Sequence, residues 1–213
     1  TPVAYKVIQW GSGSVGSLAI AALSERRELK LKGLYVYNPE KVGVDAGEIA
    51  GVGRLGVKAT NNADKILAMD ADCVIHSPLS SLVYGENPEQ DLKTICALLA
   101  SGKNVISSVG YMYPKVYGSR VMNQLSRACR RGGSSFHGTG ANPGWLGDLV
   151  PLTMTALSGK IDQIMIQEIS NFAGYPSSHI IHDTMGFGLS PGRFKQKSAR
   201  YSAWLTGLFR ESI

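Results

Sequence analysis

Three glycines near the start of the sequence have the spacing of a phosphate-binding loop. Gly11, Gly13 and Gly16 form a G-x-G-x-x-G directly after the run 5–10, which is predicted to be a short buried strand, and before the helix-forming run 17–23. In this order of strand, turn and helix, the first glycine permits the turn and the second lets the backbone approach a pyrophosphate. The third lets the helix pack on the strand, and the helix N-terminus then offers free N–H groups to the phosphates. The alternative is that these glycines make only a tight turn.

The sequence predicts that the pyrophosphate of a nicotinamide dinucleotide lies over this loop. The residues predicted to bind it are Gly11, Ser12, Gly13, Ser14, Val15 and Gly16.

The end of the second predicted strand favours NADP over NAD as this dinucleotide. NAD-specific sites carry an acidic residue about 20 residues after the glycine loop, where it binds the ribose 2′-OH. Here the strand ends at Asn38 and Lys41 follows, so Asn38 cannot repel a 2′-phosphate and Lys41 could attract one. Two alternatives stay open: Glu40 could supply the carboxylate of an NAD site, and Asn38 with Pro39 could simply form a turn.

Strands and helices alternate regularly from residue 3 to about residue 140. This order predicts an α/β fold with a Rossmann-type, doubly wound parallel sheet, so residues 1–140 are predicted to form a dinucleotide-binding domain. The predicted strands are 5–10, 29–37, 57–60, 70–76, 104–107 and 134–137, and the predicted helices are 17–23, 45–50, 62–69, 88–99 and 118–131.

Residues 141–213 are predicted to form a second, smaller α+β domain for substrate binding or oligomerisation. The pattern predicts a helix over 145–157 with Pro143 at its start, an alternating strand over 160–172, a short helix over 179–184 and an amphipathic helix over 195–209. A single strand makes a thin, incomplete domain. We therefore expect either that the sequence lacks part of a longer parent or that a partner subunit supplies the missing sheet, and we expect a homodimer.

Composition restricts the remaining partners. The 213 residues carry a net charge of +6, but the basic residues are mostly scattered and have no interleaved aromatic residues, so no nucleic-acid partner is predicted. No run is long and apolar enough to span a bilayer and no signal peptide is visible, so no membrane association is predicted. The three cysteines have no metal-ligand spacing and indicate reduced thiols in a cytoplasmic protein.

Several motifs resemble those of the dihydrodipicolinate reductase-like family. Residues 45–51, DAGEIAG, are similar to its D-A-G-E-[LI]-A-G, and residues 107–110 stand where it has a turn beside the nicotinamide. Residues 102–105, GKNV, and 138–144, GTGANPG, resemble the branch of 2,4-diaminopentanoate dehydrogenase and native amine dehydrogenases. The resemblance covers most of residues 3–190. It implies an NAD(P)H-dependent oxidoreductase that reduces a C=O or C=N bond in a small to medium-sized substrate.

Two departures from the family affect the predicted reaction. Residues 168–174 lack the paired histidines and lysine of the reductase proper, which argues against dihydrodipicolinate as the substrate. The amine dehydrogenase branch has a glutamate at the position that aligns with Gly110. A non-catalytic protein that binds or senses NADP(H) is therefore the alternative function.

The nicotinamide is predicted to lie beside loops that follow the later strands. Its predicted contacts are Ser77, Pro78, Ser108, Val109, Gly110 and Asn142.

The predicted catalytic residues are Tyr111, His137 and Glu168, because a carbonyl or imine substrate needs a proton donor within hydrogen-bond reach. Tyr111 follows the family turn, and His137 ends a predicted strand at the cofactor crevice. Glu168 lies on the polar side of the predicted strand 160–172, where it could pair with a substrate amine. Each also has a purely structural alternative. Tyr111 could be an aromatic wall of the pocket, His137 could be a core or cofactor-contacting histidine, and Glu168 could simply lie on a solvated face. His179 and His182 lie three residues apart but lack a third ligand, so no metal is predicted.

Overall fold

The computed structural model describes residues 4–84, 86–175 and 177–197. The chain divides into two compact units, Thr1–Gly140 and Ala141–Ile213. The strands of the first unit are β1 (Tyr5–Trp10), β2 (Leu29–Tyr35), β3 (Ala59–Thr60), β4 (Cys73–His76), β5 (Asn104–Ser107) and β6 (Phe136–Gly138). Its helices are α1 (Ser14–Ser24), α2 (Ala46–Ala50), α3 (Ala63–Ala68), α4 (Ser81–Tyr84), α5 (Gln90–Ala100) and α6 (Ser119–Gly132).

All six strands of the first unit form one parallel sheet in the order β3-β2-β1-β4-β5-β6. This is the strand order of a doubly wound Rossmann sheet, and the fold class predicted from the sequence is confirmed. The predicted strands at 5–10 and 104–107 match their observed bounds, while the others are one to three residues shorter or shifted. The short helix α4 was not predicted.

Two apolar clusters hold the sheet between its helices. On one face, Ile8, Val74 and Val105 pack in a cluster with Ile95 of α5 and Leu125 of α6. A second cluster joins Ile20 of α1 to buried residues in and just after β2, in α2 and in β3, namely Leu34, Val36, Ala46 and Ala59. Successive side chains of a strand point to opposite faces of the sheet. The packing of the strands therefore fixes the face to which each residue at a strand end points.

The strand order reverses between β1 and β4, and this point of the sheet positions the candidate site. Both strands run parallel, with Trp10 opposite His76. Gly11 and Ser77 therefore leave the carboxyl edge of the sheet next to each other. In open α/β sheets, ligands bind in the crevice that forms at such a reversal.

The motif DAGEIAG has a structural explanation in this unit. Asp45 caps α2 by accepting the Gly47 N–H, and its carboxylate also accepts the N–H groups of Leu55 and Gly56. A Cβ at Gly47 would lie 1.8 Å from the Gly53 carbonyl oxygen, so only glycine fits there. The motif thus closes the loop between α2 and β3.

The second unit differs most from its prediction. It contains α7 (Val150–Thr155) and α8 (Pro191–Lys197). It also contains π-helical turns within Ala141–Leu149 and His179–Thr184. The predicted helix start at Pro143 is wrong, because the backbone at Asn142, Pro143 and Gly144 is not helical. Beyond Lys197, the amphipathic helix predicted over 195–209 lies outside the described residues.

The predicted strand over 160–172 is also wrong, since the chain forms no strand at these residues. A strand needs a neighbouring strand to accept and donate its backbone hydrogen bonds, and the described residues of the second unit include none. Its alternating apolar side chains consequently stay in solvent, and Ile169 is 88% exposed. Across residues 4–84, 86–175 and 177–197, no helix is long and apolar enough to cross a membrane.

Candidate functional site

The glycine loop is built from backbone contacts that exclude side chains at two of its three glycines. Gly11 has φ +99°, and a Cβ there would lie 2.8 Å from the Ser77 carbonyl oxygen. A Cβ at Gly16 would lie 2.1 Å from the Gly11 carbonyl oxygen. These two glycines therefore let the loop, the start of α1 and the loop after β4 come into direct contact.

Gly13 is the exception, because a Cβ at this glycine would meet no atom within 4 Å. Gly13 is the N-cap of α1, where no side chain accepts a backbone N–H and no acidic residue lies in the first turn. The adjacent Ser14 and Val15 are exposed. The helix N-terminus therefore presents N–H groups and its positive dipole end to an open surface, as an anion-binding site requires.

A lysine closes one side of this loop. Lys41 donates from Nζ to the Ser12 carbonyl oxygen at 2.9 Å and lies 3.4 Å from Ser12 Oγ. The short turn Pro39–Lys41 holds it there, and Asn38 caps this turn by accepting the Glu40 N–H at 3.0 Å. The cation thus lies beside the glycine loop, while the Asn38 side chain serves the turn that sequence reasoning weighed as its alternative role.

The loop after β4 forms the opposite wall of the crevice. The Ser77 N–H donates to the Trp10 carbonyl oxygen at 2.9 Å, which continues the pairing of the two strands beyond the sheet edge. Ser77 is buried, Pro78 is partly exposed and Leu79 is exposed. Of the predicted nicotinamide contacts, Ser77 and Pro78 therefore lie directly beside the glycine loop.

The third wall is the turn that follows β5. The Ser108 N–H donates to the His76 carbonyl oxygen at 3.0 Å, so this turn is bound to the end of β4. Val109 and Gly110 are buried, and Gly110 has φ +102°. Tyr111 is the one described residue other than glycine with a positive φ, at 62°, and its side chain is only 2% exposed.

Tyr111 lies inside the hydrophobic core, with its ring centroid 5.0 Å from that of Tyr117. This position agrees with the aromatic wall that was the alternative to catalysis, and its role as a proton donor stays a prediction. β6 continues to Gly138, so His137 does not end its strand. His137 is exposed in a groove shared with Tyr5 and Asn104, which start their strands, and its catalytic role also stays a prediction.

In the second unit, the structure brings together two residues that were predicted for different roles. Glu168 accepts hydrogen bonds from Asn142 Nδ2 and, at 2.9 Å, from Ser170 Oγ. These bonds, the one from Asn142 first, lower the pKa of the Glu168 carboxyl below its ordinary value. Glu168 is exposed, and its role as a partner for a substrate amine stays a prediction.

Sequence reasoning missed a buried polar cluster behind the crevice. The His76 ring is completely buried, and its Nδ1 lies 3.1 Å from Ser107 Oγ. Buried Asp91 accepts the Ser81 N–H at 2.6 Å, and its Oδ1 lies 4.0 Å from His76 Nε2. These residues lie far apart in the sequence and no shared motif joins them, so only the position of His76 at a strand end could have indicated the cluster.

The His76–Asp91 contact is not an ion pair. Burial lowers the pKa of His76 to about 3 and raises the pKa of Asp91 above its ordinary value. At neutral pH the imidazole is therefore uncharged, and 4.0 Å is too long for a hydrogen bond. The cluster supports the loops after β4 and β5 without adding positive charge to the crevice.

Comparisons with known proteins agree with this architecture. Residues 5–85 match the family model for the N-terminal domain of dihydrodipicolinate reductase. An amine dehydrogenase from Streptomyces virginiae is 33% identical over 187 residues, which cover 85% of this chain and 50% of that relative. A 2,4-diaminopentanoate dehydrogenase from Acetoanaerobium sticklandii is 28% identical over 94 residues, 44% of this chain and 26% of that protein.

A solved structure shows the same fold. The amine dehydrogenase from Mycobacterium smegmatis aligns with a TM-score of 0.64 at 21% identity, covering 74% of this chain and 45% of that one. The sheet order and the glycine loop define a Rossmann-type α/β protein. The matches show that residues 5–85 are similar to the N-terminal domain of dihydrodipicolinate reductase and that most of the chain is similar to an amine dehydrogenase. The chain spans about half the length, or less, of the curated relatives it matches.

Burial of neutral His76 predicts a specific pH dependence of stability. Between pH 6.5 and about 3, the imidazole of the unfolded chain takes up a proton while the buried one does not, so the free energy of unfolding falls as the pH drops. His76→Gln should remove this loss, so its stability relative to the wild type should rise by about 1 kcal/mol per pH unit below 6. Urea unfolding at pH 7, 6, 5 and 4 measures both slopes.

The raised pKa of Asp91 changes stability with pH in the direction opposite to that of His76. Because Asp91 is present in both proteins, this contribution cancels in the comparison. His137→Gln is the matched control, since it makes the same substitution at an exposed histidine outside this buried cluster. Parallel slopes for the wild type and His76→Gln would contradict the assignment of a buried neutral imidazole.

Proposed function

We propose that this chain forms the dinucleotide-binding part of an NADP-dependent oxidoreductase. The observation that carries the proposal is the open, uncapped N-terminus of α1 next to Gly13, at the reversal of strand order. The residues present fit a dinucleotide, because the contacts of Gly11 and Gly16 bring the loop backbone close to the start of α1 and a Cβ at Gly13 would meet no atom, which leaves room for a pyrophosphate. The nicotinamide, when bound, supplies or accepts the hydride.

In this proposal each wall of the crevice has its own task. Ser12, Ser14 and Val15 hold the pyrophosphate through backbone N–H groups, with Gly13 giving the close approach. The residues beside the nicotinamide are Ser77, Pro78, Ser108, Val109 and Gly110. The turns after β4 and β5 form the two surfaces that flank it.

The preference for NADP rests on Lys41. Its ammonium group lies beside Ser12, on the side of the loop toward the end of β2, where the ribose of a bound dinucleotide is expected. The nearest carboxylate on that turn is Glu40, whose Oε2 is 3.4 Å from Asn38 Nδ2. NAD is the alternative cofactor if this carboxylate, rather than Lys41, faces the ribose.

The proposed reaction is reduction of a C=O or C=N bond in a small to medium-sized substrate, or the reverse oxidation. The names of the relatives, amine and 2,4-diaminopentanoate dehydrogenase, support this class of reaction. The second class is a protein that binds NADP(H) without turnover, and one observation favours it. Gly110 in the turn after β5 has φ +102°, a backbone that strains any side chain placed there. The turn is therefore shaped for glycine and not for the glutamate that the amine dehydrogenase branch has at this position.

Turnover separates these functions. We expect NADPH oxidation with at least one member of a panel of ketones and aldehydes, measured at 340 nm with and without ammonia. Turnover that needs ammonia indicates imine reduction, whereas turnover without it indicates carbonyl reduction. Tight NADPH binding with no turnover on any substrate would contradict the enzyme and favour the sensing protein.

Gly13→Ala tests the cofactor loop directly. The alanine side chain meets open space and φ is −75°, so the free energy of unfolding should change by less than about 1 kcal/mol. Affinity for NADPH should nevertheless fall by about 10-fold or more, because the methyl group occupies the surface on which the pyrophosphate lies. Fluorescence titration with NADPH and urea unfolding measure the two quantities.

Gly159→Ala is the matched control, since a Cβ there also meets open space, and it should leave NADPH affinity unchanged. Wild-type NADPH affinity in Gly13→Ala would contradict the proposed binding mode.

Lys41→Gln tests the cofactor preference. Loss of the cation should weaken NADPH binding by about 10-fold, in line with one charge-assisted hydrogen bond, and change NADH binding by less than about 2-fold. Calorimetric titration of both cofactors measures the ratio of affinities. Exposed Lys65 on α3 offers the control Lys65→Gln, which alters net charge equally. An equal loss for NADPH and NADH in Lys41→Gln would overturn the assignment of Lys41 to the 2′-phosphate.

A further inference from the structure

The carboxyl-terminal half of β1 contains a polar side chain that its position in the core does not explain. Gln9 has no exposed surface, and the residues before and after it, Ile8 and Trp10, belong to the hydrophobic core. Burying a primary amide is unfavourable unless its polar atoms make hydrogen bonds. An apolar residue would fill the same space without this cost.

The Gln9 amide connects the two loops that form the crevice. Its Nε2 donates to Ser77 Oγ at 2.7 Å and to the Gly11 carbonyl oxygen at 3.0 Å, and it lies 3.3 Å from the Trp10 carbonyl oxygen. A carbonyl oxygen can only accept, so the amide nitrogen must face Gly11. One side chain thus binds the glycine loop and the loop after β4 together.

The same group also reaches the start of α1. A Cβ at Gly16 would lie 3.1 Å from Gln9 Nε2 and 2.1 Å from the Gly11 carbonyl oxygen that the amide binds. Gln9 therefore holds the carbonyl group over which the first turn of the helix packs. Displacing that carbonyl would move the N–H groups of the loop relative to Ser77.

We propose that Gln9 is a positioning residue for a bound dinucleotide: its amide sets the separation between the pyrophosphate-binding glycine loop and the loop beside the nicotinamide. This inference rests on the proposed function, since it concerns the same site. It predicts that Gln9 affects ligands that span both loops and spares ligands that occupy only the adenosine end.

Gln9→Met tests the proposal, because methionine has a similar volume but cannot donate. Binding of NADP⁺ and of adenosine 2′,5′-bisphosphate is measured by calorimetry. The second ligand carries the adenosine and the 2′-phosphate but no pyrophosphate and no nicotinamide. We expect Gln9→Met to weaken NADP⁺ by about 10-fold and adenosine 2′,5′-bisphosphate by less than about 2-fold, as loss of hydrogen bonds that orient only the spanning ligand.

Ser77→Ala is the second variant, and it lies in a loop, so it tests the contact even if Gln9→Met folds poorly. The double variant should bind NADP⁺ about as weakly as Gln9→Met alone, because both changes remove the same hydrogen bond. Leu98→Ala serves as the stability control: it destabilises the core near the opposite edge of the sheet and should weaken neither ligand.

Three results would overturn the inference while leaving the proposed function intact. They are unchanged NADP⁺ affinity in Gln9→Met, equal losses for both ligands, and losses in the double variant that multiply those of the single variants. Failure of the wild-type chain to bind NADP⁺ at all would instead overturn the proposed function, and the inference with it.

Discussion

The close approach of the glycine loop to the loop after β4 is the constraint on which the candidate site depends. A Cβ would lie 2.8 Å from a backbone oxygen at Gly11 and 2.1 Å from one at Gly16. Such distances leave no room for any other residue, so the loops and the helix N-terminus contact one another through backbone atoms. The N-terminus of α1 beside Gly13 is open and has no side-chain cap, and this makes the loop suited to an anion.

Buried polar side chains stabilise this backbone arrangement through hydrogen bonds and contacts beneath the loops. Gln9 binds both loops, while His76, which is uncharged at neutral pH, lies between Ser107 and Asp91. Polar groups in an apolar interior have few alternative partners, so they fix the loops more uniquely than apolar packing does. The crevice thus combines an open front formed by backbone with a rigid rear formed by side chains.

The first unit could be predicted from sequence because local and long-range signals agree in it. The run 5–10 has the pattern of a buried strand, is followed by the glycine loop and lies centrally in the sheet, and its predicted bounds match β1. The contacts of Gln9 could not be predicted, because its partners lie on another strand and no local pattern indicates them. The position of Lys41 depends in the same way on a turn capped by Asn38.

In the second unit, the periodicity of apolar residues does not suffice to predict a strand. Alternating apolar residues over 160–172 have the pattern of a strand, yet a strand forms only where another chain segment pairs with it. Asn142 and Glu168 are hydrogen-bonded to each other although neither lies in a regular element that sequence could identify. Pairing partners, rather than the pattern itself, decide the outcome in this part of the chain.

Amide hydrogen exchange with and without NADP⁺ tests the central claim most directly, because it reports on the backbone N–H groups proposed to bind the pyrophosphate. We expect NADP⁺ to slow exchange in peptides that cover residues 11–17, with smaller changes around residues 77–79 and 108–110. Exchange around α2, whose helix start is capped by Asp45, should stay unchanged. Unaltered exchange over residues 11–17 at a saturating NADP⁺ concentration would contradict the account.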